Sequence, residues 1–276
     1  MKKNKKPYVI LLVPVFNVSK RFKEWAECIY NLKPKPNKVI FAENNSKDNT
    51  LELIKDFKLP HEIIRVWFKD DAQQVLGPYA NIANIRQLLL TKARSIDPDY
   101  AIFVDDDVFI MSTDAIKTII SYKKDIVGGA YLRWYPEGTF LASKWRLHND
   151  QIQLRDWVDL PIQEVEMTSG GFLCLSRRII QDENMDFYPI KDNESSEDYG
   201  YCVLAKKYNY KTYLNGTIKL EHADRHKHRP WFLNKEEDKE HASVKIGELN
   251  YIKYSFVDDT DDYIKTRLIP IYCKPE

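Results

Sequence analysis

"AIFVDDDVFI", residues 101–110, sets three consecutive aspartates directly behind an apolar run. Ala101, Ile102, Phe103 and Val104 read as a buried strand, and Asp105, Asp106 and Asp107 crowd negative charge onto its end. Like charges this close repel, and an uncompensated cluster beside a core is costly. A divalent cation would offset the repulsion, and oxygen ligands at this density suit Mg²⁺ or Mn²⁺. Alternation along an extended chain would bring Asp105 and Asp107 to the same side. The plain alternative is a solvated acidic turn. A position behind a buried strand, in an alternating α/β half, favours the metal.

Outward from that strand, apolar runs alternate with helical patterns. Strands are expected at 8–16, 37–44, 62–68, 101–104 and 125–132, and helices at about 20–32, 50–57, 81–94 and 113–123. Such alternation with short connections marks βαβ units around a largely parallel sheet. Ligands of these sheets bind beyond the carboxyl ends of the strands. Asn17, Glu43 to Asn45 and Asp105 to Asp107 all fall at carboxyl ends, so three polar clusters are expected to converge on one crevice.

After residue 130 the pattern changes. Residues 133–171 mix polar and aromatic residues without helix periodicity and read as strands and loops. A helix is expected at 197–209, a strand at 211–222 and a late helix at 234–252. No linker or repeat divides the chain. The reading is one α/β domain: a binding half (7–130), a second half (131–234) and a C-terminal helical extension (235–276).

Composition narrows the field. The 276 residues are 43% hydrophobic, enough for a large core. A formal net charge of +1 gives no case for nucleic-acid binding. Cys28, Cys174, Cys202 and Cys273 lack metal-knuckle spacing, and no signal peptide precedes them, which fits a reduced, cytoplasmic setting. No apolar stretch approaches the ~20 residues of a transmembrane helix. "MKKNKK" (1–6) reads as a solvated tail, with a peripheral contact to an anionic membrane as the other reading.

Taken in order, the motifs resemble those of nucleotide-sugar glycosyltransferases of the GT-A fold, in the family 2-like and Anp1-like branches. Asp105-Asp106-Asp107 matches their Asp-x-Asp behind a buried strand. Arg86 and Ala93 match an Arg with an Ala seven residues on. Pro14 to Asn17 match Pro-x-x-Asn, and "ENNSKDNT" (43–50) resembles an acidic turn. "EDYGYC" (197–202) followed by His222 matches Glu-Asp-x-x-x-Cys and a downstream His. The ordered set spans residues 8–222. It departs from the pattern in having Glu-Asn-Asn-Ser where family 2 usually has Asp-Asp-Gly-Ser.

The resemblance implies a GT-A sheet and a metal-dependent transfer of sugar from a nucleotide-diphosphate donor to a hydroxyl acceptor. It implies Mn²⁺ or Mg²⁺ on Asp107 and His222, with Asp105 on the metal or on the donor's ribose or sugar. Pro14, Phe16, Asn17, Glu43, Asn45 and Asp106 would line the nucleotide sugar. Arg86 would reach a phosphate or fix the aspartates by an ion pair. The basic segment "RHKHRPW" (225–231), through Arg225 and Lys227, would close on the diphosphate. Gly170 and Gly171 would border the acceptor. In an inverting enzyme Asp198 would be the general base, with Glu197 as runner-up; in a retaining one the carboxylate would hold the acceptor or stabilise a cationic sugar; both also suit the first turn of a helix. Two other readings compete. A sugar-phosphate nucleotidyltransferase would need a glycine-rich N-terminal loop, absent from "VPVFNVSKRF" (13–22). An inactive glycan-binding relative would not need Asp105, Asp107, Asp198 and His222 together.

Overall fold

The computed structural model describes residues 6–68, 80–135, 138–141, 161–187, 196–223 and 272–274. Strands Val9–Val15 (β1), Lys38–Glu43 (β2), His61–Trp67 (β3) and Tyr100–Val104 (β4) alternate with helices Phe22–Tyr30 (α1), Thr50–Lys55 (α2) and Ala80–Ile96 (α3). Val108–Ile110 (β5), helix Ala115–Ser121 (α4) and Ile126–Gly129 (β6) follow. Leu132–Tyr135 (β7) and Gly138–Leu141 (β8) form a hairpin. Gln163–Val165 (β9), Phe172–Ser176 (β10), helices Arg177–Ile180 (α5) and Glu197–Lys207 (α6), Thr212–Asn215 (β11), Leu220–His222 (β12) and Tyr272–Lys274 (β13) complete the described elements.

Nine strands make one sheet in the order β13-β3-β2-β1-β4-β10-β6-β11-β9. β3, β2, β1 and β4 run parallel; β10 runs antiparallel between β4 and β6. Strand alternation builds the core on both faces. Val9, Leu11, Val13 and Val15 pack with Phe22, Trp25 and Ile29 of α1, Ile54 of α2, and Ile116 and Ile119 of α4. Ile10 and Leu12 pack with Ile85, Leu89, Leu90 and Ala93 of α3, Ile179 and Ile180 of α5, and Tyr201 and Leu204 of α6. A strand buried on both faces reads as an unbroken apolar run, which is why β1, β2 and β4 are evident in the sequence.

The chain winds from β1 outward to β3, then crosses back to place β4 on the other side of β1. That reversal is the switch point where doubly wound sheets open a crevice. The β1–β4 register ends at Leu12 opposite Phe103, while β1 stays paired with β2 up to Val15 opposite Glu43. Pro14 lies past the last β4 partner, where a missing N–H breaks no bond on that side.

Three expectations are corrected. Residues 125–132 are not one strand: the chain leaves the sheet after Gly129 and re-forms as β7 in the hairpin. Residues 211–222 also divide, because Asn215 Oδ1 accepts the Thr217 and Ile218 N–H groups at 3.1 and 2.8 Å and turns the chain between β11 and β12. The aspartates are not extended either. They form a turn closed by Val108 N–H on the Asp105 carbonyl at 3.1 Å, leading into β5. The expected helix at 234–252 lies outside the described residues, and 272–274 adds an antiparallel edge strand to β3.

Candidate active site

The turn after β4 assigns each carboxylate a different partner. Asp105 takes Arg86 Nη2 of α3 on both oxygens, at 2.8 and 3.0 Å. Asp106 takes Arg21 Nη2 at 2.8 Å on Oδ1 and the Phe16 N–H at 3.0 Å on Oδ2. Asp107 Oδ2 lies 3.1 Å from His222 Nε2. The backbone is held as well: Trp25 Nε1 donates to the Asp105 carbonyl and Arg21 Nε to the Asp106 carbonyl, both at 3.1 Å. Helices from both faces of the sheet therefore grip one turn. The expected alternation of Asp105 and Asp107 gives way to a three-way division of charge.

β5 explains how His222 arrives. β12 pairs antiparallel with β5, with His222 opposite Val108, and Ala223 N–H donates to the Asp107 carbonyl at 2.8 Å. Ladder and turn together seat an imidazole beside the third carboxylate.

Arg86 is 2% exposed and is the hub of the site. Besides Asp105, it gives Nε to Glu197 Oε1 at 2.8 Å and Nη1 to the Gly170 carbonyl at 3.1 Å. The ion-pair alternative for Arg86 is thus present in the geometry. Burial alone would lower its pKa, but Asp105 and Glu197 raise it and keep it charged. One cation does not neutralise all the carboxylates around it. Burial, with the Asp198 charge added, pushes Glu197 up to about 7 against the pull of Arg86. Burial and the Asp107 charge likewise push Asp106 up to about 7, against Arg21. Asp105 is raised by burial and by Asp107, with Arg86 opposing.

The glycine pair has a packing reason. A Cβ on Gly170 would fall 2.8 Å from Arg86 Cζ, and one on Gly171 would fall 2.1 Å from the Tyr131 hydroxyl. The strap they form is tied down on two sides. Asp105 N–H donates to the Gly171 carbonyl at 2.9 Å, and Gly170 N–H donates to Asp198 Oδ2 at 3.1 Å. Asp198 sits in the first turn of α6, where Oδ1 accepts the Tyr199 N–H at 2.8 Å and the Ser196 hydroxyl. Among the described residues, three hydrogen bonds fill three of its four lone-pair sites. Glu197 is buried against Arg86, whereas Asp198 is part-exposed beside the strap.

At the first two strand ends, Asn17 and Asn45 adopt left-handed backbone, φ 52° and 49°. Asn17 N–H donates to Ser46 Oγ at 3.0 Å, Lys47 N–H to Asn17 Oδ1 at 2.8 Å, and Asn44 N–H to the Val15 carbonyl at 2.9 Å. Glu43 is fully buried and accepts Ser46 N–H at 2.5 Å and Arg65 Nε at 3.2 Å, so it shapes this turn from within. Phe16, just past the end of β1, is 49% exposed. The Phe16–Asp106 bond joins these turns to the aspartates, and the three polar clusters meet as expected.

Arg225 and Lys227 lie outside the described residues. Arg21, Trp25, Tyr131, Ser169 and Ser196 belong to the site without having been picked out by motif. Arg21 and Trp25 are four apart, the spacing of neighbours on one helix face, which is the one signal pointing to that pair.

Among the described residues, no group of three or more His, Cys, Asp or Glu side chains is arranged to hold a metal. Asp107 and His222 offer one oxygen and one imidazole nitrogen. That donor set fits Mn²⁺ better than Mg²⁺, and such cations complete their shells with substrate phosphates and water. The residues present fit the ion as a two-ligand site.

A model of glycosyl transferase family 2 matches residues 10–182, from β1 to just past α5. The chain belongs to glycosyl transferase family 2. Among curated proteins similar to this chain, human procollagen galactosyltransferase 2 is 25% identical over 211 residues, 66% of this chain and 32% of that protein. The O-antigen chain rhamnosyltransferase RfbN of Salmonella typhimurium is 27% identical over 117 residues, 42% of this chain and 33% of that one. The chain spans about a third of the length of these curated relatives. The crystal structure of S. aureus TarS 1–349 in complex with UDP-GlcNAc shares the fold, with a TM-score of 0.52 at 16% identity over 77% of this chain and 57% of that chain. No helix among the described residues is long and apolar enough to cross a membrane.

Two outcomes follow from this family 2 site. Arg86→Met leaves Asp105 and Glu197 without their cation, and urea unfolding should show a loss of about 3–5 kcal/mol. Glu197 provides the pH test. Its folded pKa of about 7 lies above its ordinary 4.5, so the native state binds more protons between those values. The stability this contributes is complete below about 4.5 and is lost as pH rises through about 7. Glu197→Gln keeps an acceptor for Arg86 Nε and removes the titration. Thermal midpoints followed from pH 4.5 to 7.5 should fall more steeply in the wild type than in this variant.

Proposed function

We propose that the chain transfers a sugar from a nucleoside-diphosphate donor to a hydroxyl acceptor, with a divalent cation held by Asp107 and His222. The observation that carries this reading is the Asp107–His222 pair at the β1/β4 switch point of a family 2 chain. Charge supports it. Among the described residues, an anionic diphosphate would meet the carboxylates of Asp105, Asp107 and Asp198, which Arg86 offsets only in part. When bound, a divalent cation supplies Lewis acidity to the diphosphate as negative charge builds on it.

The chain's own residues do the rest. Phe16 offers a face for the nucleobase, and the Asn17 and Asn45 turns shape the wall beside it. Arg86 holds Asp105 and the strap in place, so the donor's sugar meets a fixed surface. Asp198, part-exposed beside the strap, accepts from the acceptor hydroxyl and takes its proton as the hydroxyl oxygen attacks the anomeric carbon and the bond from that carbon to the diphosphate breaks. Glu197 serves Arg86 and leaves the proton transfer to its neighbour. Sugar transfer fits the galactosyl- and rhamnosyltransferase names of the relatives, and the UDP-GlcNAc in TarS is the kind of donor the crevice would take. Donor identity and acceptor class are properties of the variable loops.

The test is release of nucleoside diphosphate from a panel of nucleotide sugars, with a mixed panel of hydroxyl acceptors, in Mn²⁺ and in chelator. Turnover in Mn²⁺ alone is expected. Equal turnover in chelator would overturn the metal role, and none with any donor would overturn transfer. Asp198→Asn should lower turnover by about 10²–10⁴-fold with donor affinity retained. Because Gly170 N–H loses a full acceptor in this variant, a small fall in melting temperature is expected as well. Near-normal turnover would remove Asp198 as the base.

A further inference from the structure

Tyr131 is buried where the chain leaves β6, and the chemistry above makes no use of it. Its ring lies parallel to the His222 imidazole, with an interplanar angle of 2° and centroids 6.1 Å apart, an offset stack. Its hydroxyl and Ser169 Oγ share a hydrogen bond of 2.7 Å, and Ser169 Oγ accepts the Gly171 N–H at 3.2 Å. The hydroxyl has room there because position 171 carries no side chain.

The β12–β5 ladder fixes the Cα of His222 and leaves its ring rotation open. The last torsion of a histidine has broad wells, so backbone pairing alone does not aim Nε2 at Asp107. A flat, buried ring beside the imidazole does. The buried Tyr131 ring, held by its bond to Ser169, bounds the space on that side of the imidazole. Tyr131, Ser169 and His222 are each less than a tenth exposed, so the stack has little space in which to rearrange.

We infer that Tyr131 is a positioning residue: it sets the plane of the His222 imidazole toward Asp107 and, through Ser169, joins that pair to the Gly170–Gly171 strap. The inference rests on the reading of Asp107 and His222 as metal ligands. Partners that orient a metal-binding histidine are worth about 10–100-fold in metal affinity. Tyr131→Phe keeps the ring and loses the hydroxyl. Tyr131→Leu keeps apolar bulk and loses the plane.

The experiment is a Mn²⁺ titration of the full chain with a nucleoside diphosphate present. Free Mn²⁺ is followed by electron paramagnetic resonance, and the ¹⁴N echo modulation of a bound imidazole is recorded on the same samples. Circular dichroism checks that each variant is folded. His222→Ala should lose both affinity and modulation. Tyr131→Phe, which keeps the ring and loses the Ser169 bond that holds it, should bind with an affinity between those of the wild type and Tyr131→Leu, with the modulation retained. Tyr131→Leu should bind about 10–100-fold more weakly, with the modulation diminished. Wild-type affinity and modulation in Tyr131→Leu, with both lost in His222→Ala, would overturn the role of Tyr131 and leave the metal reading standing. Wild-type binding in His222→Ala would overturn the metal reading, and the positioning role with it. Should Tyr131→Leu not fold, Tyr131→Phe decides: weaker Mn²⁺ binding with the modulation retained supports a ring held through Ser169, and wild-type affinity overturns it.

Discussion

The guanidinium of Arg86 is the constraint on which the rest of the site depends. It is buried at the meeting point of α3, the end of β4, the glycine strap and the start of α6, and it donates to a group on each of the other three. A buried charge is tolerable only when paired and hydrogen-bonded, so the four pieces are obliged to come together in one arrangement. Gly170 has no side chain because Arg86 occupies its place. Glu197 holds its proton up to about 7 because burial and Asp198 outweigh the one guanidinium beside it. Asp198 Oδ2 accepts the Gly170 N–H of a strap whose path Arg86 sets.

From that hub the crowding of three adjacent aspartates has a physical answer. Arg86 and Arg21 offset the charge of Asp105 and Asp106, and His222 lies beside Asp107; the three reach the turn from α3, the entry of α1 and β12. The third partner differs in kind. His222 carries no permanent charge, and on the proposed reading its imidazole would bind a metal ion instead. The turn is thus rigid at Asp105 and Asp106, where structure needs it, and offers ligand chemistry at Asp107. The same division separates the two carboxylates at the start of α6, one buried against a cation and the other part-exposed.

What the sequence discloses follows from the range of each interaction. β1, β2 and β4 are evident because a strand covered on both faces must be apolar throughout, and the carboxyl-end clusters follow from the alternation of strands and helices. β10 is equally buried and carries no alternation, so nothing local separates it from the mixed stretch before it. The division at Asn215 is a side-chain-to-backbone choice that a run of strand-forming residues conceals. Asp105, Asp107, Asp198 and His222 stand in recognisable motifs, whereas Tyr131 is one of seventeen tyrosines, and its contact with His222 spans 91 positions. Glu43 has the motif position of a ligand-facing acid but lies fully buried beneath the turn. Residue type and order locate a site; which acid faces inward is decided by packing.

The central claim is that the crevice at the β1/β4 switch point takes a nucleoside diphosphate together with a divalent cation. Thermal unfolding of the full chain with nucleoside diphosphates, in Mn²⁺ and in chelator, tests it most directly. The account predicts stabilisation that needs both components, about 2.7 kcal/mol at a hundredfold excess over the dissociation constant, and that is absent in Asp107→Ala. No shift with any diphosphate in Mn²⁺, or an equal shift in chelator, would contradict it.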